Sequence, residues 1–518
     1  GVKMTTRATQ NELTKTMTDG NLFIAVPDTN FRDLVAETLK LIEFCPEILS
    51  LIESDQDAHA LQKKELRLAD QKFYAEQTAP LPNLCPEFRD TAGPSDLDIG
   101  RPRLPAESLL VFLMIRGYLG SVSDQKAYVF LRESMTLHDF LHNRGLQLPG
   151  KSTLVENLNL LSERTLEKIH RAQLAMAHGE KLDDFRELTI DSTSVWANSA
   201  WPTDGKMILG LEERVFRLGG ELKKYGLPGF RAGHLPRWFK EMEKIEFQIC
   251  LNAGKAHSKR KMKKGYRSLL DKATKAHRAL QIEWAHCEEK LTLSDYAPGQ
   301  RVRLKLICEQ IRDDLADAER VIEYCGERIF ENKPRPSKEK VLSLSDGTAG
   351  FIKKGGREPV IGYKPQLVRS RQGFVAGLRV PIGNAADSAE FVPALEMAME
   401  RTGVVAELVS GDDGYATAKG RDALIGKGVK TVSISGSKGK KQTGEEDWES
   451  ELHKEARSNR SAVESLMFTL KYSHRFGRLE RRGIDAVRQE LWEKVLAYNT
   501  CRMIQLRKRR EKEKLRAA

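Results

Sequence analysis

Three residues in the stretch Arg460-Ser461-Ala462-Val463-Glu464-Ser465-Leu466-Met467-Phe468-Thr469-Leu470-Lys471 have the types and spacing to act together on a polyanion. An α-helix turns roughly 100° per residue, which sets Arg460, Glu464 and Lys471 within about 40° of one another. Val463, Leu466, Met467 and Leu470 fall on other sides at core spacing, so one carboxylate and two cations share a face away from the apolar surface. That face calls for solvent or a polyanionic partner, and an ordinary salt-bridged surface helix would show the same Arg and Glu spacing.

Two distant aspartates add to this. Glu187 to Val195 alternates β-branched residues as a strand does, with Asp191 inside it, where a buried charge is costly unless it meets a metal or an opposite charge. Val405 to Gly411 reads as a strand ending at Asp412-Asp413-Gly414-Tyr415. Open α/β sheets take their ligands at the carboxyl ends of strands, although Asp-Gly alone is also a common turn.

The elements that must position these residues belong to a chain of 518 residues, 40% hydrophobic, long enough for more than one core. Its 85 Lys and Arg exceed its 73 Asp and Glu, for a net charge of +12. Such an excess points to a polyanion only where it is clustered. The seven cysteines form no C-x-x-C pair and no zinc spacing, which excludes a disulfide framework and a structural zinc site. The longest apolar run, Leu109 to Ile115, is far short of the roughly 20 residues of a membrane span, and no secretory core follows the first residues. These features predict a soluble intracellular protein.

In chain order, residues 1–105 read as an N-terminal helical region, Phe31 to Ile52 and Ala58 to Gln77, followed by a Pro-rich connector, Pro80 to Pro105. Residues 106–180 read as a helical domain whose short helices fit either a DNA-binding helix-turn-helix or a plain bundle. Within it, Ser152 or Thr153 is expected to cap a helix starting near Leu154 and running to Ala177. Residues 205–341 interrupt the α/β pattern with long charged helices. Leu304, Cys308, Ile311, Leu315, Ala318, Ile322, Cys325 and Ile329 alternate by four and three, and Leu269, Ala273, Ala276, Leu280, Trp284, Cys287 and Leu291 form a partner stripe, which predicts an antiparallel coiled-coil hairpin. Its leading end, His257 to Arg267, is the densest basic run. Lys259, Arg260, Lys263 and Lys264 there suit a phosphate clamp as well as a solvated face. Beyond it, Val360 to Val368 and Phe374 to Val380 read as a strand hairpin, Ser388 to Thr402 as a helix, Ala418 to Gly426 as another, Lys430 to Ser435 as a strand and Ser437 to Lys441 as a basic loop. Residues 481–518 read as a C-terminal basic helix, of which Leu491 to Ala518 is expected to be exposed, with alternating charge and a basic end, Arg507 to Arg510.

The order strand with Asp, hairpin, helix, strand ending in Asp, helix, strand, helix with Glu resembles the DDE transposases of bacterial insertion sequences. The block from Ile190-Asp191 through Asn198 to Pro202-Thr203-Asp204 is similar to that family's first-aspartate block, and Asp412-Asp413-Gly414-Tyr415 to its second. Arg460, Glu464 and Lys471 fit its Arg, three residues, Glu, six residues, Lys signature. Arg457 stands where the signature often has tyrosine, and Trp196 where relatives often have glutamate.

The resemblance implies an α/β ribonuclease H-like catalytic domain, residues 181–204 and 342–480, split by the helical insertion. It implies Asp191, Asp412 and Glu464 as catalytic carboxylates holding two Mg²⁺ or Mn²⁺ ions roughly 3.5 to 4 Å apart, with Arg460 and Lys471 gripping DNA phosphates. Asp413 is the rival for the second position, and Glu480 and Glu490 for the third. The implied activity is cleavage of transposon ends and strand transfer into target DNA. The partners are double-stranded DNA, both terminal inverted repeats and target, and further copies of the chain in a dimer or higher oligomer, in the cytoplasm at the nucleoid. A transposase-derived protein that only binds DNA and a ribonuclease H-like nuclease without strand transfer are the alternatives.

Overall fold

The computed structural model describes residues 29–77, 103–120, 122–199, 203–253, 258–353 and 358–517. All but the end of the Pro80 to Pro105 connector, and Ala200 to Pro202 of the first-aspartate block, lie outside the described residues, as does His257 of the basic run. The chain is mostly helical, with a mixed sheet built largely from its C-terminal part.

Helices α1 (Thr29–Phe44) and α2 (Glu47–Gln77) divide where the sequence predicts continuity to Ile52, because Pro46 cannot continue α1 and is tolerated only at the start of a helix. Five helices follow: α3 (Ala106–Tyr118), α4 (Asp124–Glu133), α5 (Met135–His142), α6 (Lys151–Asn159) and α7 (Glu163–Gly179). The predicted run from Leu154 to Ala177 breaks at Ser162, whose hydroxyl caps α7 by accepting from Thr165 N at 3.2 Å. The cap of α6 is Gly150, not Ser152 or Thr153. Leu109 to Ile115 in α3 are buried on every side, so α3 is a core helix.

The main sheet is β1 (Glu187–Ser192), β5 (Gln366–Ser370), β6 (Val375–Arg379), β7 (Leu408–Gly411) and β8 (Thr431–Ile434), in the order β6-β5-β1-β7-β8. β1 pairs antiparallel with β5 and parallel with β7, and β7 parallel with β8. A second sheet of β2 (Val195–Trp196), β3 (Gly350–Ile352) and β4 (Val360–Tyr363), in the order β2-β4-β3, lies beside it. The single strand predicted from Val360 to Val368 is divided between the two sheets at Lys364-Pro365, since proline has no N–H to donate. Gly362 is required there: a Cβ would overlap the Val195 carbonyl on β2.

Between β2 and β3 the chain makes a separate module with its own core, α8 (Asp204–Glu221), α9 (Leu235–Asn252), α10 (Ser258–Glu289) and α11 (Pro298–Gly326). The hairpin predicted from the two stripes is α10 and α11, but α8 and α9 also pack on it, making four helices rather than two. The module's two ends meet, Ser343 Oγ donating to Ser199 Oγ at 2.9 Å.

Helices α12 (Asp387–Thr402) and α13 (Ala418–Gly426) form the core on one face of the main sheet. The basic loop predicted after β8 is instead a short helix, α14 (Ser437–Thr443). Then come α15 (Glu451–Ser473) and α16 (Ile484–Ala517). The expectation of an exposed tail holds for residues 508–517 and fails for most of the helix before them. Val487 to Leu506 of α16 contribute to one continuous core with α1 to α7, α15 and parts of both sheets. Glu493, fully buried, takes Arg116 Nη2 at 2.7 Å and Arg481 Nη2 at 2.9 Å. Gly117 of α3 lets α16 approach, for a Cβ there would collide with the Glu493 carbonyl. Arg507, Lys508 and Arg510 at the basic end pair with Glu37, Glu180 and Asp33 or with the carbonyls of Glu180 and Lys181. Among the described residues no helix is long and apolar enough to cross a membrane.

Candidate active site

β1 and β7 run parallel with Leu188 beside Val409 and Thr189 beside Ser410, whose hydroxyls are 2.8 Å apart. Continued by two residues, that register sets Asp191 beside Asp412 at the carboxyl ends of neighbouring strands, which lie roughly 5 Å apart. Asp191 Oδ1 accepts from Ser192 N at 2.7 Å, and Asp412 Oδ1 from Gly414 N at 2.9 Å. Beneath them, Tyr415 is fully buried and donates its hydroxyl to Gln366 Oε1. Its phenol is driven far above the ordinary range, first by burial and then by the carboxylates of Asp387, Asp191 and Asp412.

Asp387, at the start of α12, was not singled out by sequence. Its carboxylate accepts from Gln366 Nε2 at 3.1 Å and pairs with Lys364 at 2.8 Å, both partners nearly buried. Burial opposes ionisation, yet the hydrogen bond from Lys364, helped by Gln366 and Ser192, holds the carboxyl below its usual range. Lys364 is the residue just before the Pro365 break, so the feature that splits the strand also points a cation at the strand ends. The sequence shows Asp387 three residues after Asn384 and Lys364 before a proline, but nothing that joins them.

Asp413 is engaged elsewhere. Its Oδ1 accepts from Lys438 N at 2.9 Å and Gly439 N at 3.2 Å, capping the first turn of α14. Glu490 is fully buried against Lys494 at 2.7 Å and accepts from the backbone of Glu480 and Arg481. Glu480 pairs with Arg475.

α15 packs on β1, β7 and β8 through Val463, Leu466, Met467 and Leu470. Its opposite side carries Glu464, whose side chain is 68% exposed and meets Arg460 at 3.5 Å. Arg460 Nη1 also donates to Ser435 Oγ at 3.0 Å, and Ser435 N donates to Gly411 O at 2.9 Å, one residue before Asp412. The stem of Lys471 lies against Gly477. Arg460 is thus tied to the strand ends, while Glu464 is turned to solvent. Among the described residues no three His, Cys, Asp or Glu side chains are gathered as a metal would need; the strand register, continued, runs Asp191 beside Asp412, and Glu464 is exposed beside Arg460.

Residues 333–500 match the family model of the transposase DDE domain.

The chain carries a transposase DDE domain.

The match covers about a third of the chain and includes Asp412 and Glu464; Asp191 lies upstream of it and is joined to the transposase domain by strand pairing. No curated protein and no solved structure matches significantly. Within the domain, Arg457 has a structural use: it donates to the Trp448 carbonyl at 2.7 Å and lies 4.1 Å above that residue's ring, fixing the approach to α15. Trp196, at 41% exposure, is held at the far end of α15 by hydrogen bonds from its N–H to Gly477 O and from Leu479 N to its carbonyl. Lys259, Arg260, Lys263 and Lys264 are exposed on α10, in the insertion rather than in the transposase domain.

Proposed function

We propose that the chain is a DDE transposase whose ribonuclease H-like catalytic domain is assembled from β1 and residues 342–480, and which cleaves the ends of a mobile element and joins them to target DNA. The observation that carries this reading is the pairing of β1 with β7, which sets Asp191 beside Asp412 although 221 residues separate them. The sheet order, with a hairpin on one side of the Asp191 strand and two parallel strands on the other, supports the fold.

The donor set fits a hard divalent cation, since carboxylate oxygens suit Mg²⁺ or Mn²⁺. Asp191 and Asp412 would hold it, with Glu464 joining from α15 on leaving Arg460. Such an ion supplies polarisation of a phosphoryl oxygen and a nucleophile at neutral pH. The protein's own part is positional. Ser192 N and Gly414 N fix the two aspartates, and the Lys364–Asp387 pair sets a cation and a buried carboxylate behind them. Arg460 and Lys471 would bind phosphates on either side of the scissile bond. Lys259, Arg260, Lys263 and Lys264 would hold flanking duplex, and α4 to α6 would contribute to recognition of the terminal repeats. Cutting two ends would use two copies of the chain, an active dimer or higher oligomer acting on DNA at the nucleoid.

The test is incubation with the inverted repeats that flank the gene and Mg²⁺, alongside Asp191→Ala and Glu464→Ala. Metal-dependent cleavage lost in both variants is the expected result. Binding without any metal-dependent cleavage would sink the catalytic reading, and cleavage without joining would favour a nuclease. The outward Glu464 is the observation that favours the binding-only alternative, so the Glu464→Ala arm decides between them.

A further inference from the structure

Two aromatic side chains follow Glu464 along α15, and none of the described residues covers them. Phe468 is 61% exposed and Tyr472 73%, and their rings stack on each other with centroids 4.2 Å apart and planes 32° apart. At roughly 100° per residue, Phe468 lies about 40° and Tyr472 about 80° round from Glu464, on the side away from Arg460 and Lys471. The exposed face of α15 is therefore one stripe running from two cations through a carboxylate to two rings. Trp196 sits half-exposed just beyond, pinned to the loop that follows the helix.

Exposed aromatic rings next to phosphate-binding cations form the surface that unpaired nucleic acid uses. Every base has a π-face to stack, while the backbone needs positive charge. Paired bases already stack on their neighbours and offer a ring only an edge. We propose that Phe468 and Tyr472 form a stacking platform for unpaired bases of the DNA strand adjoining the cleaved phosphate, with Arg460 and Lys471 holding that strand's backbone. This rests on the transposase reading, and it adds a single-stranded partner to a face that sequence alone assigned to phosphates. The platform explains why rings are kept in water on a helix whose other side is fully packed: a scattered exposed ring needs no explanation, but a stacked pair beside Glu464 does.

The experiment measures binding of the full chain to a short single strand containing 2-aminopurine and to a blunt duplex of the same sequence. The wild type is expected to quench the 2-aminopurine. Phe468→Ala and Tyr472→Ala should each weaken single-strand binding by about tenfold and relieve the quenching, with much smaller effects on the duplex. Tyr472→Phe should behave as wild type. Because both side chains are exposed, unchanged thermal melting confirms that the variants fold. Unchanged single-strand affinity and quenching in the double variant would overturn the proposal. So would a fall in the mass of the protein alone with single-strand binding intact, which would give the stripe to a second copy of the chain. Cleavage of the element's ends by the wild type is read in parallel. Cleavage without ring-dependent single-strand binding removes the platform alone, whereas ring-dependent binding without cleavage leaves the platform and removes the catalytic reading.

Discussion

Asp412 and Asp413 are adjacent but bind different things, which makes them separable by mutation. Asp413 accepts two backbone N–H groups at the start of α14, so Asp413→Ala should lower stability by about 1 kcal/mol, measured by denaturant unfolding. Asp412→Asn should instead leave the unfolding curve nearly unchanged and reduce metal-dependent cleavage by about 10³-fold, the equivalent of some 4 kcal/mol of lost transition-state stabilisation. The Lys364–Asp387 pair gives a pH signature. Asp387 is held below its ordinary value of 3.8, so its contribution is complete above that value and is lost as pH falls through the lower folded-state pKa. Asp387→Ala, which strands Lys364 in a nearly buried position, should cost about 3 kcal/mol at neutral pH and flatten the acid limb of a stability profile. At this scale the sequence singled out Asp191, Asp412 and the Arg460, Glu464, Lys471 face as candidates, because each sits in a local motif. It did not make Asp387, Lys364 or Gln366 legible, because their meeting depends on how β5 and α12 pack. The outward turn of Glu464 was equally hidden, since helical spacing fixes a face and not a rotamer.

Among the elements, the helices and strands of the C-terminal part were legible from periodicity, and the errors have local causes. Pro46 and Pro365 divide segments whose apolar patterns run straight through them. Ser437 to Lys441 looks like a loop because it is basic and holds a glycine, but the cap from Asp413, 24 positions upstream of Ser437, makes it helical. The charged pattern of α16 suggests exposure, yet Glu490 pairs with Lys494 and Glu493 with Arg116 and Arg481 inside the core, and it is the end of the helix, residues 508–517, that is exposed. Glu493→Ala should therefore be severe: it leaves Arg116 buried without its carboxylate and should cost about 3–5 kcal/mol, seen as a large drop in the unfolding midpoint. Glu212 in α8 predicts the opposite sign. It is fully buried, both its oxygens have no hydrogen-bond partner among the described residues, and burial pushes its carboxyl well above the ordinary range. Its favourable contribution is present below the unfolded value of 4.5 and is lost as pH rises through the folded-state pKa. Glu212→Leu should accordingly stabilise the protein at neutral pH by about 1–3 kcal/mol and remove that alkaline decline, both measurable by thermal melts across pH.

For the whole molecule, the two basic ends predicted from sequence have different fates. The cluster on α10 is exposed, whereas Arg507, Lys508 and Arg510 are committed to acidic side chains and carbonyls. Neutralising Lys259, Arg260, Lys263 and Lys264 together should weaken duplex binding and reduce the slope of log affinity against log salt by up to about 3.6, while neutralising the tail cations should change stability and leave the slope alone. Fluorescence titrations at several salt concentrations distinguish the two. The hydrogen bond between Ser199 and Ser343 also bears on how the sheet can form at all. β1 leaves the ribosome about 170 residues before β5, its antiparallel partner, and at 5–20 residues per second waits roughly 10–35 s for that neighbour and longer still for β7. During that interval the four helices of the insertion, which bury a core of their own, can fold and draw residue 199 to residue 343. A gap of 144 residues then acts as a tight turn, and the entropy of closing it is met by the helices before the strands pair. The insertion is in that sense a splint, turning the pairing of β1 with β5 in the main sheet into a short-range one.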